Sequence, residues 1–234
     1  MSAIKRIIGT KITLLSMVFL AYAAPSQASS IAITNSGFED PVQGPGGIGN
    51  GAATGWAVSN VDAGVWFPIT GQFFNTAAPE GNQVLFVGFV GAAADVNQTP
   101  LAATVQADTT YTLSFLLGRR LDLELSTYSV SLEANGVVLG SDSAGSPTAG
   151  NFIPRTITFN SGASPATLGQ QLGIFIHASG LSATGSGAQA EFDAFSLDSS
   201  SAGAAAVPEP TTFVLIGAGI SLIMLSRRRS KHAA

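Results

Sequence analysis

Short runs of alternating apolar and polar residues fill the middle of the 234-residue chain, and a longer apolar segment lies near each end. Alternation with a period of two is typical of a β-strand that has one buried face. Three such runs are clear, at residues 111–117, 128–133 and 172–177. Residues 83–90 are nearly continuously apolar, as in a central strand that is buried on both faces. The pattern therefore predicts a sheet protein in the middle of the chain.

Turn residues between these runs indicate how the strands connect. Asn135-Gly136 directly follows the second alternating run and predicts a tight hairpin back into residues 137–139. Pro154 stands among apolar residues of one parity, which predicts an edge strand or a strand that begins there. Shorter strand candidates are residues 31–34, 56–58 and 65–67. About eight to ten short strands with glycine-rich turns predict an all-β domain, an antiparallel β-sandwich.

The first 28 residues have the three parts of a secretory signal peptide. Basic residues at positions 5, 6 and 11 precede an apolar run at 12–24. At about 1.5 Å per residue this run is too short to span a hydrocarbon core of about 30 Å. Small residues at positions 26 and 28 favour cleavage before Ser29. We therefore expect export, with residues 1–28 as an N-terminal signal helix.

The other end of the chain, residues 207–234, combines two prolines, a short apolar run and a basic cluster. The prolines force an extended backbone that suits a protease groove, although a rigid stop before a plain anchor helix explains them equally well. Because a basic cluster prefers the cytoplasmic side, we expect residues 211–225 to form a transmembrane helix in the inner membrane with the domain facing outward.

This order of features resembles the PEP-CTERM sorting signal of Gram-negative bacteria. The residues that carry the resemblance are Val207, Pro208, Glu209, Pro210, Arg227, Arg228 and Arg229. The resemblance implies that exosortase, a membrane protease-transpeptidase, recognises the segment and removes the tail. It predicts a protein that is anchored transiently and is then displayed at the cell surface or released outside the cell.

The segment between the two ends is strongly acidic. Residues 29–206 contain three arginines and no lysine against thirteen acids, a formal charge of −10, whereas the whole chain carries −4. Such a surface repels phosphate backbones and excludes a nucleic-acid partner. The absence of cysteine excludes disulfides, thiol nucleophiles and cysteine metal sites. Small residues at 199–206 predict a linker after a β-sandwich domain at 29–198.

Several short motifs in the domain resemble the galactose-binding-like jelly rolls, which include many carbohydrate-binding modules. The motifs are Asn35-Ser36-Gly37-Phe38-Glu39, Gly55-Trp56 and the closing Phe192-Asp193-Ala194-Phe195-Ser196-Leu197. In such jelly rolls the acids of the opening and closing motifs often hold a structural calcium. The resemblance therefore implies calcium ligands at Glu39 and Asp193, helped by backbone carbonyls because calcium takes six to eight oxygens. No other cofactor is expected.

The same carboxylates have a simpler interpretation. Asp193 shares its parity with Phe195 and Leu197, which predicts a position at the rim of the apolar face. A carboxylate there needs a partner because burying it alone is costly. In the alternative interpretation Asp193 is solvated at the start of a strand, and Glu39 pairs with an arginine or caps a turn.

Candidate glycan-binding residues lie in the loop-rich first third of the domain and on one strand end. Flat rings stack on sugars while polar groups bind the hydroxyls, and Trp66 with Asp62 offers this combination. Arg119 and Arg120 could grip an acidic polymer. Trp66 as a core residue, and a local ion pair of the arginines with Asp122 or Glu124, are the simpler alternatives.

No catalytic motif is apparent, and the single histidine of the domain, His177, has the parity of a surface strand residue. We therefore expect a non-catalytic surface or matrix protein that associates with extracellular polysaccharide, as in a biofilm. One alternative is a polysaccharide hydrolase with two close carboxylates among Asp62, Glu80 and Asp95. The other is a purely structural matrix protein that assembles through sheet edges.

Overall fold

The computed structural model describes residues 28–201, and β-strands are the regular elements of this part of the chain. The predicted signal and transmembrane helices lie outside the described residues, and no helix within 28–201 is long and apolar enough to cross a membrane. The strands are β1 (Ala28–Ile31), β2 (Ile48–Asn50), β3 (Ala57–Val58), β4 (Ala63–Trp66), β5 (Val84–Val87), β6 (Ala94–Gln98), β7 (Thr109–Arg119), β8 (Glu124–Leu125), β9 (Tyr128–Ala134), β10 (Val137–Asp142), β11 (Asn151–Asn160), β12 (Leu172–Ala178) and β13 (Ala188–Ser201).

The strands form two sheets that pack face to face. The first sheet has the order β11-β7-β13-β5-β4-β2, and β1 and β8 also pair with β13. The second sheet has the order β10-β9-β12-β6-β3. All of these pairs are antiparallel except β8 with β13. The predicted fold class, an antiparallel jelly-roll β-sandwich, is confirmed.

Alternation along the strands places one face of each sheet in a common core. On β7, Leu113, Phe115 and Leu117 are buried, and the residues between them are partly exposed. Leu132 of β9 and Ile174 of β12 belong to the same core cluster from the opposite sheet. Each large apolar side chain buried in this way contributes about 1.5–3 kcal/mol, so the alternation itself holds the two sheets together.

The turn and edge predictions agree with the structure. Asn135 and Gly136 have φ values of 48° and 79° and join β9 to β10, as a type I′ hairpin requires. Pro154 lies in β11, an edge strand, where its missing N–H costs no ladder hydrogen bond. The run at 83–90 is a shorter strand than its composition predicts, but β5 is central and all four of its residues are buried.

The predicted linker at 199–206 begins inside a strand. β13 continues to Ser201, and Ser199 and Ser200 pair with Ser29 and Ala28 of β1. Backbone pairing does not need apolar side chains, so a run of serines resembles a linker even where it forms a strand. For the same reason the sequence did not indicate the short strands β2, β6 and β8.

A bulge in β13 changes the direction of Asp193. The register between β13 and β7 shifts between Asp193 and Ser196, and Ala194 has a φ of 52°. Phe192 and Phe195 therefore both enter the core, whereas Asp193 lies opposite Leu116, away from the core. The predicted shared face of Asp193, Phe195 and Leu197 is wrong, because a strict period of two does not continue through a bulge.

A second apolar cluster covers the outer face of the first sheet. Trp66, Val84 and Phe86 of β4 and β5 lie beneath Phe74, which comes from the segment 67–83. The Phe74 ring stacks on Phe152 of β11 with their centroids 4.7 Å apart. This covering removes water from side chains that an antiparallel sheet would otherwise present to solvent.

Candidate functional site

A cavity of about 200 Å³ opens at the outer face of the first sheet, beside the second apolar cluster. We call it the Trp66 pocket; its lining residues are Ile48, Asn50, Val61, Asp62, Trp66, Phe86, Phe89, Arg120 and Gln189. The rings of Trp66 and Phe86 are buried and form its floor. Ile48, Val61 and Phe89 are exposed around its mouth. The pocket is therefore largely apolar, with a few polar groups on one side.

Arg120 is held firmly at the polar side of this pocket. Its guanidinium lies 4.9 Å from the centroid of the Trp66 ring and 4.7 Å from that of Phe73. It donates two hydrogen bonds to the Asp122 carboxylate, at 2.8 and 2.6 Å, and a third of 2.8 Å to Gln189 Oε1. The hydrogen bonds from Arg120 lower the pKa of Asp122. These contacts fix the guanidinium and, through it, the Gln189 side chain.

Glu191 is fully buried and lies beside Phe86, a lining residue of the pocket, on the neighbouring strand. It pairs in register with Phe86 on β5 and with Gly118 on β7. Gly118 has no side chain, and the Phe152 ring occupies the space where a Cβ would lie. The Glu191 carboxyl is thus placed between two aromatic residues, and neither of its oxygens has a hydrogen-bond partner.

Burial determines the protonation of this carboxyl. Loss of water raises the pKa of Glu191 to about 8, and the opposing effect of the Arg120 charge is smaller. At pH 7 a group with this pKa carries its proton in about ten molecules for each one that is ionised. Burial therefore favours the protonated form of Glu191 at neutral pH, next to an apolar pocket.

Alternation along β13 explains why the Glu191 side chain faces the outer side of the first sheet. On β13 the small or apolar residues Ala188, Ala190 and Phe192 are buried, and Ala190 and Phe192 pack in the core between the sheets. Gln189 and Glu191 alternate with them and therefore face outward. Glu191 could not be selected from the sequence, because an outward-facing acid is normally solvated. The aromatic residues that cover it come from distant parts of the chain, Phe74 and Phe86 from more than a hundred positions away and Phe152 from β11.

Three of the predicted ligand-binding residues come together, and the fourth does not. Trp66, Asp62 and Arg120 all line the Trp66 pocket. Trp66 is only 4% exposed, so its ring is a pocket floor and not an open platform. Arg119, the last residue of β7, lines a different cavity. Ligand binding by these residues stays a prediction.

The two predicted calcium ligands bind backbone N–H groups. Asp193 accepts hydrogen bonds from the backbone of Glu80 and Ala194, at 2.9 and 2.7 Å. Burial raises the pKa of Asp193 to about 7, although these two bonds act in the opposite direction. Glu39 accepts from the backbone N–H groups of Asn82 and Gln83 at 2.8 and 2.7 Å. Both acids thus hold the segment that leads into β5.

Within residues 28–201 no group of three or more histidines and acids is arranged to hold a metal ion. The side chains alone do not supply the six to eight oxygens that calcium takes. Side-chain geometry therefore gives the calcium site no support, and it stays a prediction.

The three acids predicted for a hydrolase, Asp62, Glu80 and Asp95, lie in three different places. Asp62 lies at the Trp66 pocket, Glu80 lies beside Asp193, and Asp95 pairs with His177 on the second sheet. The Asp95 Oδ1 and His177 Nδ1 atoms are 2.7 Å apart, and both side chains are 43% exposed. His177 thus lies on the surface side of its strand, as its parity predicts.

The sequence of this domain matches a known family of enzymes. The family described as HpiC1 cyclase matches residues 29–198, which is most of the chain. The chain belongs to the HpiC1-like family. The expectation that the domain is not an enzyme is therefore wrong. Loose jelly-roll motifs are shared by binding modules and by enzymes on the same fold, so they could not separate the two.

Solved structures of cyclases are similar to this chain. A cyclase from Fischerella sp. TAU is 27% identical with a TM-score of 0.64, covering 74% of this chain and 98% of that chain. A Fischerella sp. TAU cyclase in complex with 4-(1H-indol-3-yl)butan-2-one is 25% identical with a TM-score of 0.62, covering 73% and 97%. The TmCBM61 module in complex with β-1,4-galactotriose is 16% identical with a TM-score of 0.48, covering 72% and 98%, which carries no argument about ligands. No curated protein sequence is significantly similar to this chain.

The predicted sorting signal is confirmed by a second match. The PEP-CTERM protein-sorting motif matches residues 206–229, which lie outside the described residues. The protein is thus an exported substrate of exosortase with a surface or extracellular destination. The predicted signal peptide, transmembrane helix and transient membrane anchoring stay predictions.

Proposed function

We propose that this protein is an exported cyclase-type enzyme that binds a small aromatic substrate in the Trp66 pocket and uses Glu191 as its proton donor. The observation that carries the proposal is the Glu191 carboxyl, which is fully buried, has no hydrogen-bond partner and lies next to two lining residues of an apolar pocket, Phe86 and Gln189. Family membership supports the reaction class.

The pocket suits one small, flat, mostly apolar molecule. An apolar cavity of about 150 Å³ can hold a benzene molecule, so about 200 Å³ has room for a compact ring system. Trp66 and Phe86 offer ring faces, while Asn50, Asp62 and Gln189 offer polar atoms for orientation. An indole-bearing ketone is bound by one of the similar cyclases, which supports an indole-sized substrate here.

A protonated carboxyl can start and finish a ring closure. Glu191 gives its proton to a carbon–carbon double bond of the substrate, which leaves a carbocation. A π bond of the same molecule attacks that cation and forms the ring bond, and the carboxylate then removes a proton from the ring carbon. The product is an isomer of the substrate, so atoms and electrons balance within one molecule. A proton donor works best with a pKa near the working pH.

Substrate reaches the acid only if a neighbouring side chain moves. Glu191 itself has no exposed surface, whereas Phe86, its partner on β5, and Gln189, two residues before it on β13, line the cavity. We expect the Gln189 side chain to turn aside on binding, since a hydrogen bond to Arg120 is the contact that holds it.

Binding is tested by saturation-transfer NMR with 4-(1H-indol-3-yl)butan-2-one and the purified protein. Val61→Trp fills the mouth of the pocket and should abolish the ligand signal. Val138→Trp is the matched control, because Val138 is 56% exposed on the other sheet and Val61 is 65% exposed. Equal ligand signals from both variants would remove the Trp66 pocket from the proposal.

Catalysis is tested with a panel of indoles that carry an alkene side chain. A product of unchanged mass and changed chromatographic retention reports ring closure. Glu191→Gln should abolish turnover while ligand binding persists, because the amide keeps the shape and lacks an acidic proton. Loss of turnover in Asp62→Asn with full turnover in Glu191→Gln would transfer the acid role to Asp62.

Association with extracellular polysaccharide is a separate proposal. The buried Trp66 ring gives it little support, whereas a second cavity described below supports it. The test is a mobility shift on an affinity gel that contains the polymer of the native host. An unshifted protein that forms oligomers as its concentration rises would favour the purely structural alternative.

A further inference from the structure

A second, more open cavity of about 470 Å³ lies at the Arg119 end of β7 and shares no lining residue with the Trp66 pocket. We call it the Arg119 cavity. Arg119, the β8–β9 connection and the loops at 143–146 and 182–184 form its walls. We propose that this cavity binds the carboxylate and hydroxyl groups of an acidic sugar such as a uronic acid. The proposal is independent of the cyclase site.

Arg119 carries a positive charge that has no partner within the described residues. Arg120 pairs with Asp122, and Arg155 pairs with Asp142. The Arg119 side chain makes no such ion pair or hydrogen bond, and its Nε atom is buried without an acceptor. A buried guanidinium donor that has lost water is costly unless an acceptor replaces it. A carboxylate is suited to this, since its two oxygens match the guanidinium fork.

The rest of the cavity wall is rich in hydroxyl groups. Seven of its twelve lining residues carry a hydroxyl group. Ser143 and Ser146 are exposed there, and within residues 28–201 their hydroxyls have no protein partner. Free hydroxyls that both donate and accept are suited to the hydroxyls of a sugar.

The wall that carries these serines is held in place. Tyr128 donates a hydrogen bond of 2.7 Å to Asp142, and its oxygen accepts one of 2.7 Å from the Gly145 backbone. A side chain at Gly145 would collide with Leu117 and with the Tyr128 oxygen, so only glycine allows this approach. The loop is therefore fixed before a ligand arrives, which lowers the entropy cost of binding.

Charge favours a single carboxylate over a phosphate. Glu124 also lines the cavity, where its Oε2 accepts a hydrogen bond of 3.3 Å from Thr184. One arginine balances one carboxylate, whereas a phosphate with its second charge is repelled by Glu124. A uronic acid carries both the single charge and the hydroxyls that this wall can bind.

The experiment is a calorimetric titration of the purified protein with three probes: trigalacturonate, the neutral galactotriose and inorganic phosphate. We expect trigalacturonate to bind at least about tenfold more tightly than galactotriose, the ratio that one charge-assisted contact supplies. Phosphate should bind more weakly than trigalacturonate. Equal binding of the acidic and neutral sugars, or tighter binding of phosphate, would overturn the proposal.

Variants locate the site. Arg119→Gln should remove the preference for the acidic sugar, and Arg119→Lys should retain part of it. Glu124→Gln should tighten trigalacturonate binding several-fold, since it removes a nearby negative charge, and this variant keeps the test valid if Arg119→Gln fails to fold. Val61→Trp, in the other pocket, is the control and should bind as the parent does. Unchanged affinity in both Arg119→Gln and Glu124→Gln would refute the assignment.

Discussion

Replacing Glu191 with glutamine should make the protein more stable in alkaline solution. Burial raises the pKa of this carboxyl from 4.5 to about 8. The folded protein therefore binds more protons than the unfolded chain between these pH values. A group with a raised folded-state pKa stabilises the fold below its unfolded pKa and loses that contribution as the pH rises through its folded pKa. Stability should thus fall from about pH 5 to pH 9, and glutamine should remove this slope.

The size of the effect follows from the two pKa values. Each pH unit between them is worth about 1.4 kcal/mol, so the Glu191 contribution lost between pH 5 and 9 is about 4 kcal/mol. That is a large part of the 5–15 kcal/mol typical of a folded domain. Asp193, with a pKa near 7, adds a slope of the same sign, but it is present in both proteins and cancels in their difference.

Urea unfolding of the parent and of Glu191→Gln at pH 5, 7 and 9 measures this difference. Asp198→Asn is the matched control, because Asp198 is an exposed carboxyl on the same strand. The difference between this control and the parent gives the background against which the Glu191→Gln difference is compared. If the Glu191→Gln difference stays within about 1 kcal/mol of that background from pH 5 to 9, the Glu191 carboxyl is ionised or solvated and the prediction is refuted.

Three further predictions concern packing, hydrogen bonding and metal. Gly118→Ala puts a Cβ where the Phe152 ring lies and should lower the free energy of unfolding by about 1–3 kcal/mol. Gly44→Ala is the control for the same urea assay and should change this free energy little, because a Cβ at Gly44 meets open space. Tyr128→Phe leaves the Gly145 N–H without its acceptor and should lower the free energy of unfolding by about 1–3 kcal/mol, which is measured as a lower melting temperature. An unchanged melting temperature would mean that water replaces the lost hydrogen bond. If the sequence-based calcium prediction holds, melting in calcium should exceed melting in chelator, and identical curves would contradict it.

Strand patterns were predictable because burial repeats every two residues. The β7 and β12 runs, the Asn135-Gly136 turn and the edge position of Pro154 all depend on local chemistry that the sequence displays. The bulge at Ala194 was not predictable, because a left-handed backbone at alanine is not indicated by the residue type. The bulge decided which way Asp193 points.

Only part of the candidate site could be predicted from the sequence. Trp66, Asp62 and Arg120 could be selected individually as polar and aromatic candidates, and they do share a pocket. Glu191 could not, because its unusual property is its environment. The rings around it come from Phe86, from Phe152 and from the covering segment, which meet only after the sheet has formed. The alternating strand pattern predicts a solvated acid at this position, and only the folded structure shows the aromatic rings that bury it.

The length of β13 has a consequence for the position of the proposed reaction centre. Ten residues separate Glu191 from Ser201 on this one strand, which at about 3.3 Å per residue is roughly 30 Å. The distal part of the strand, at residues 197–200, pairs with β1. A substitution at this distal part would therefore act on residues that do not line the Trp66 pocket.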